Sequence, residues 1–350
     1  MRMYTNGVEE TLFSNDSNPD QDQDNVINNA HKHEIGAMDD AYHFDGYLSE
    51  VVFIDGTAYG PTDFGEFDED SPRIWKPKDV SGLTFGTNGF YLDFEASDNL
   101  GNDANGGTDL TEDTIDATDQ VQDSPSNNFC VINPLDNYYQ ASTLSEGNCK
   151  IVTEGAGTVY AFNTGTIGLT AGKWYFEMKM TDSTGGGGSF YGVAAELATS
   201  ASTELGHTSN AIGLKNSNVT RTGDADTAFG GDAYTDDDIM GCALDMTNSR
   251  IFFAMNGVWM QPGSATGGDP TDGTGAVALP TAVASTPIGA YLPAFGAYMD
   301  AAQTMEPNFG CPSYANSSDA ADENGYGAFE YAPPSGYLAI CTKNLGSDGG

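Results

Sequence analysis

Lys173-Trp174-Tyr175-Phe176-Glu177-Met178-Lys179-Met180 is the stretch that decides the fold class. Side chains along a strand alternate between two faces. Trp174, Phe176, Met178 and Met180 therefore share one face, while Lys173, Glu177 and Lys179 share the other. That pattern predicts a strand buried on one side and solvated on the other. Similar runs follow at short spacing: Phe190 to Leu197, Ala211 to Lys215, Ile239 to Met246, Arg250 to Met255 and Tyr291 to Tyr298, with a turn signal at Asn256-Gly257. No helical pattern is interleaved. Strands at this density predict an all-β chain of antiparallel jelly-roll or β-sandwich modules.

Toward the N-terminus the pattern loosens. Asn6-Gly7 sits between short apolar runs and predicts a hairpin. Val51-Val52-Phe53-Ile54 is apolar on both faces, which places it in the centre of a sandwich. A second apolar strand is expected at Gly89 to Phe94, followed by an acidic, Gly-rich arm from Ser97 to Asp123. The expected divisions are residues 1–82, 83–149 (a strand plus the arm) and 150–345.

Composition narrows the partners. The chain of 350 residues carries 51 Asp and Glu against 12 Lys and Arg, a formal charge of −39. Phosphate backbones and anionic lipids are held by clustered cations, so nucleic acid and membrane are excluded as partners. Such a surface is tolerated best in salt, where the screening length falls to roughly 3 Å at 1 M. The five cysteines, Cys130, Cys149, Cys242, Cys311 and Cys341, show no CxxC spacing, and Cys242 lies inside an apolar strand as a free thiol. The N-terminal residues lack the apolar run of a signal peptide, and no run approaches a membrane span.

Two stretches resemble known families. Residues 1–56, through Tyr4-Thr5-Asn6-Gly7-Val8 and Phe44-Asp45-Gly46-Tyr47-Leu48-Ser49-Glu50-Val51, are similar to the second half of a laminin-G or concanavalin-A-like jelly roll. Residues 150–310 resemble a SPRY domain. Gly172-Lys173-Trp174-Tyr175-Phe176-Glu177, Phe190-Tyr191-Gly192-Val193-Ala194, Asp238-Ile239-Met240-Gly241-Cys242-Ala243-Leu244-Asp245 and Asn308-Phe309-Gly310 carry that likeness. The flanks Trp75-Lys76-Pro77 and Pro333-Pro334-Ser335-Gly336-Tyr337-Leu338 resemble segments of tailed-bacteriophage proteins of marine type. The resemblance implies a virion component made in the bacterial cytoplasm, a tail-fibre or adhesin subunit. It implies other virion proteins and further copies of the chain as partners, and a host-surface glycan or protein as target. A capsid decoration, collar or fibre connector is the rival, and a glycan depolymerase a weaker one.

Candidate sites follow from chemistry. No catalytic constellation is expected. Glu50 and Asp55 are offset by an odd spacing that points them to opposite faces, unlike the facing carboxylates of a glycosidase. His31-Lys32-His33 offers two imidazoles without a third ligand, so no metal site is assigned. Asp98, Asn99, Asn102, Asp103, Asn105 and Asp109 supply hard oxygens, which leaves Ca²⁺ at residues 98–109 as the one cofactor open. Its spacing does not match the 12-residue Ca²⁺ loop, and the main reading is a flexible acidic loop. Gly185-Gly186-Gly187-Gly188 reads as a hairpin tip. SPRY domains contact partners through loops at one end of the sandwich. The expected loops are 181–189, 199–210, 216–237 and 258–287, with His207, Phe229, Tyr234 and Trp259 as binding residues. Trp174, Phe176, Met178, Leu244, Phe253 and Phe309 are the expected core.

Overall fold

The structure, a computed structural model, describes residues 2–14, 20, 26–38, 42–44, 46–69, 75–124, 126–136, 142–153, 159–183, 188–198, 200, 203–231, 233–299 and 301–346. Asp45, Thr184 to Gly187, Thr199, Ala201, Ser202 and Asp232, which belong to motifs and loops named above, lie outside the described residues. The fold is all-β, and the chain divides into two compact units, Met1–Ser126 and Asn127–Gly350. Among the described residues no helix is long and apolar enough to cross a membrane.

In the first unit, β1 (Tyr4–Thr5) and β2 (Val8–Glu9) form the hairpin expected at Asn6-Gly7. Both turn residues have positive φ, 48° and 75°, the pairing that a two-residue turn between twisted strands requires. β3 (Val51–Phe53) pairs antiparallel with β6 (Phe90–Leu92), and β4 (Gly65–Phe67) with β5 (Trp75–Pro77). Two expectations change here. β3 is only half-buried in a two-stranded sheet, so it is not the centre of a sandwich. The strand at 90–92 belongs with residues 51–53 and not with a connector, because Val51 faces Leu92 and Phe53 stacks on Phe90 at 5.5 Å.

The second unit is a β-sandwich. Its strands are β7 (Thr143–Ser145), β8 (Lys150–Val152), β9 (Val159–Thr164), β10 (Lys173–Asp182), β11 (Gly188–Ala194), β12 (Ala211–Lys215), β13 (Val219–Thr222), β14 (Ala225–Ala228), β15 (Ile239–Asp245), β16 (Arg250–Met255), β17 (Val258–Trp259), β18 (Val277–Ala278), β19 (Leu292–Met299), β20 (Thr304–Asn308) and β21 (Leu338–Ala339). Among the described residues one sheet runs β17-β16-β15-β10-β20-β8-β7, with β18 beside β16 and β21 beside β10. The other runs β14-β13-β12-β11-β19-β9. Residues 127–149 fall in this unit rather than in the separate division 83–149: β7 pairs with β8, and Phe129 bridges Cys341.

Between the sheets, Trp174, Phe176, Met178, Leu244, Phe253 and Phe309 are each 0% exposed in one apolar cluster. Phe176 meets Phe295 edge-on and Phe309 at a tilt, both at 5.9 Å. Cys242 is a buried free thiol in the same cluster.

Both outer faces of the sandwich are covered as well. Over the first sheet, Phe129, Phe329, Tyr337, Ala339 and Cys341 pack on Tyr175, Ala243 and Phe252. This changes the half-solvated strand expected at 173–180 at its middle: Tyr175 and Glu177 are as buried as Trp174 and Phe176, while Lys173 and Lys179 stay half-buried. Over the second sheet, Leu205 is 0% exposed and seats against Gly213 and Gly296. A Cβ on Gly213 would stand 2.9 Å from Leu205, and one on Gly296 3.2 Å, so only glycine leaves the trough open.

Candidate functional site

The strand ends at β10/β11, β12/β13, β14/β15 and β16/β17 gather at one end of the sandwich. The loop 229–238 dominates that end, and aspartates fix its backbone. Asp236 accepts from the Ser183 amide at 2.6 Å, and Asp238 accepts from the Thr235 amide at 2.7 Å and from Asn256 Nδ2 at 2.7 Å. Asn256 Oδ1 in turn accepts from the Ile239 amide at 2.9 Å, and Asn218 Nδ2 donates to the Gly231 carbonyl at 2.7 Å. Lys179 pairs with Asp237 at 3.1 Å, and the Asp237 side chain stays 81% exposed. The result, among the described residues, is a polar, acidic rim whose aspartates are tied to backbone and side-chain donors. Beside it, Val258 is 46% exposed and Trp259 half-buried.

The four binding residues expected from sequence do not converge. Phe229 and Tyr234 are core residues. Phe229 packs edge-on against Phe253 at 5.7 Å, and Tyr234 against Tyr191 at 5.9 Å. The Tyr234 hydroxyl donates to the Ser189 carbonyl at 2.7 Å, and burial raises its pKa. Neither presents a surface, because an aromatic ring in a sandwich loop gains more by plugging the open end of the core than by facing water. Trp259 stays at the rim, half-buried against the outer-face cluster and 6.2 Å edge-on from Tyr175.

His207 lies elsewhere, on the loop that covers the second sheet. Its Nδ1 is 3.7 Å from Asp224 Oδ1, and its side chain is 42% exposed. Arg221 bridges this region: its NH2 meets Glu204 at 2.9 Å and also Asp224, and its NH1 meets Asp226 at 2.7 Å. Among the described residues Glu204, His207 and Asp224 are the one His, Cys, Asp or Glu group with three donor atoms close enough for a metal, within 4.8 Å of one another. Only His207 of the three stands out in the sequence; Glu204 lies 3 residues before it and Asp224 on the far side of β13, a spacing without a motif.

In the acidic stretch 98–109 the carboxylates of Asp103 and Asp109 are engaged within the unit. Asp103 is 4% exposed, and its carboxylate accepts from the amides of Tyr91 at 2.9 Å, Asn105 at 3.0 Å and Gly107 at 3.0 Å. Asp109 accepts from the Asp103 amide at 3.0 Å and from Asn99 Nδ2 at 2.8 Å. Those carboxylates organise turns against β6, which is a structural use of the oxygens a Ca²⁺ ion would need. His33 is likewise engaged, with its ring nitrogens 2.8 Å from the His31 carbonyl and 3.1 Å from the Val26 carbonyl.

Comparison with known proteins gives one family. The SPRY domain matches residues 173–312, from β10 to just past β20. Among solved structures, the crystal structure of the SPRY domain of human HERC1 is similar at 15% identity, with a TM-score of 0.38, over 53% of this chain and 99% of that one. No curated protein matches the chain.

Proposed function

We propose, from the premise that residues 173–312 are a SPRY domain and so a protein-interaction module, that the chain is a virion structural protein of a tailed bacteriophage. In this reading it is a non-enzymatic tail-fibre or adhesin subunit, and the loop end of its sandwich touches the host surface. The observation that carries the contact assignment is the hydrogen-bonded acidic rim of Asp236, Asp237 and Asp238 beside exposed Val258 and half-buried Trp259. A fixed polar rim around an aromatic anchor is the composition of a binding surface. The virion assignment draws on the resemblance of the flanking segments to tailed-phage proteins. Fibre copies engaging one cell together raise avidity by roughly 10²–10⁴ over a single weak contact.

A second reading, a connector or decoration protein with contacts only to other virion proteins and to its own copies, is favoured by the first unit. Leu12 is 93% exposed, Ile27 66% and Val26 65%, a cost in water that a neighbouring subunit would remove. The depolymerase reading gains nothing from Glu50 and Asp55. Glu50 accepts from the Tyr91 hydroxyl, and Asp55 accepts from Asn28 Nδ2 at 2.8 Å and the Asn88 amide at 3.2 Å, so both act as ties within the first unit.

Electron microscopy of purified virions labelled with antibody to this chain tests the proposal. Label at fibre tips is the expected result. Label on capsid or collar selects the second reading, and particles without label overturn both.

A further inference from the structure

We propose that Glu204, His207 and Asp224 form a binding site for a divalent cation of the Zn²⁺ class. The inference stands apart from the virion reading and rests on observations at this site alone.

The first observation is geometric. One donor atom from each residue lies within 4.8 Å of the other two, and His207 Nδ1 is 3.7 Å from Asp224 Oδ1. Donors about 2.0–2.1 Å from a tetrahedral ion stand roughly 3.3 Å apart, so modest closure brings them into range. The second is an orphaned oxygen. Glu204 is 6% exposed, and its Oε2 has no hydrogen-bond partner, although its Oε1 is held by Arg221. A carboxylate oxygen shielded from water and without a donor is unfavourable by itself, and a cation satisfies it.

Charge gives the third. Glu204, Asp224 and Asp226 surround the single guanidinium of Arg221, leaving two uncompensated negative charges. A divalent ion neutralises that excess. Arg221 does not satisfy that oxygen in this geometry: its NH2 engages Oε1 of Glu204, and its own buried Nε also has no hydrogen-bond partner. Imidazole beside two carboxylates suits Zn²⁺ better than Ca²⁺ or Mg²⁺, which prefer all-oxygen shells. The exposed imidazole provides an entry route, and water completes the coordination.

Bound there, the ion ties two elements together. Glu204 and His207 flank Leu205, the side chain seated in the glycine trough, and Asp224 stands in the β13–β14 turn. The Asp224 amide already donates to the Gly206 carbonyl at 3.1 Å, so the loop and the turn are in register before the ion arrives.

The test is calorimetric titration of the EDTA-treated full chain with ZnCl₂, with MgCl₂ as control for diffuse binding to the acidic surface. The expected result is one saturable Zn²⁺ site that MgCl₂ does not reproduce, weakened at least tenfold by His207→Ala and by Asp224→Asn. Thermal unfolding of His207→Ala, whose side chain is exposed, checks that the variant is folded. Absence of a saturable zinc site, or His207→Ala binding zinc as tightly as the parent, overturns the proposal.

Discussion

Glu177 stands on the strand face that alternation assigns to solvent, yet none of its surface is exposed. Its carboxylate accepts from the Tyr175 hydroxyl at 2.9 Å, Asn308 Nδ2 at 3.2 Å, the Glu330 amide at 3.0 Å and the Tyr331 amide at 2.8 Å. It therefore fastens the C-terminal segment to the sheet. Local sequence gives no sign of this, because the residues that cover Glu177 come from more than 150 positions later. The apolar half of the same strand was legible, since Trp174, Phe176 and Met178 need only one neighbouring sheet to be buried. Burial pushes the Glu177 pKa up to about 7, against donors that pull it down. A carboxyl with a higher pKa folded than unfolded binds its proton more tightly in the native chain. Its contribution to stability is thus complete below the ordinary carboxylate range, and it declines as pH rises toward 7 and is lost above that. Urea denaturation between pH 4.5 and 7.5 checks this: stability should fall more steeply in the parent than in Glu177→Gln. Equal slopes would place the titration elsewhere among the many carboxylates.

Elements were legible where their pattern is self-contained. The Asn6-Gly7 and Asn256-Gly257 turns are signalled by two adjacent residues, and both have positive φ at each position. Pairing partners and covers were not. The strand at 51–53 reads as central from its apolar content, but content does not say how many strands will flank it. The covering loop over the second sheet is a further case. Leu205 in a polar stretch looks incidental until Gly213 and Gly296 are seen beneath it. Leu205→Ala empties that trough and should destabilise the second unit by about 2–5 kcal/mol. It should also speed proteolytic cleavage between residues 199 and 210 in the full chain. A loss below about 1 kcal/mol with unchanged cleavage would mean the loop is held by its polar contacts, such as Arg221 with Glu204.

At the scale of the molecule, fold class and the SPRY resemblance were readable because strand order and spacing survive in one sequence. The contact surface was not, because composition marks aromatic residues in loops without saying which way they face. Phe229 and Tyr234 turn inward, His207 lies over the second sheet, and Trp259 remains at the rim of the first. The proposed host contact therefore falls on Val258, Trp259 and the rim aspartates Asp236, Asp237 and Asp238, and on none of Phe229, Tyr234 and His207. Adsorption to host cells of virions carrying Trp259→Ala, measured beside parental virions and with particle composition checked, tests that claim directly. The account predicts slower adsorption by particles that are otherwise intact. Intact particles that adsorb at the parental rate would contradict it.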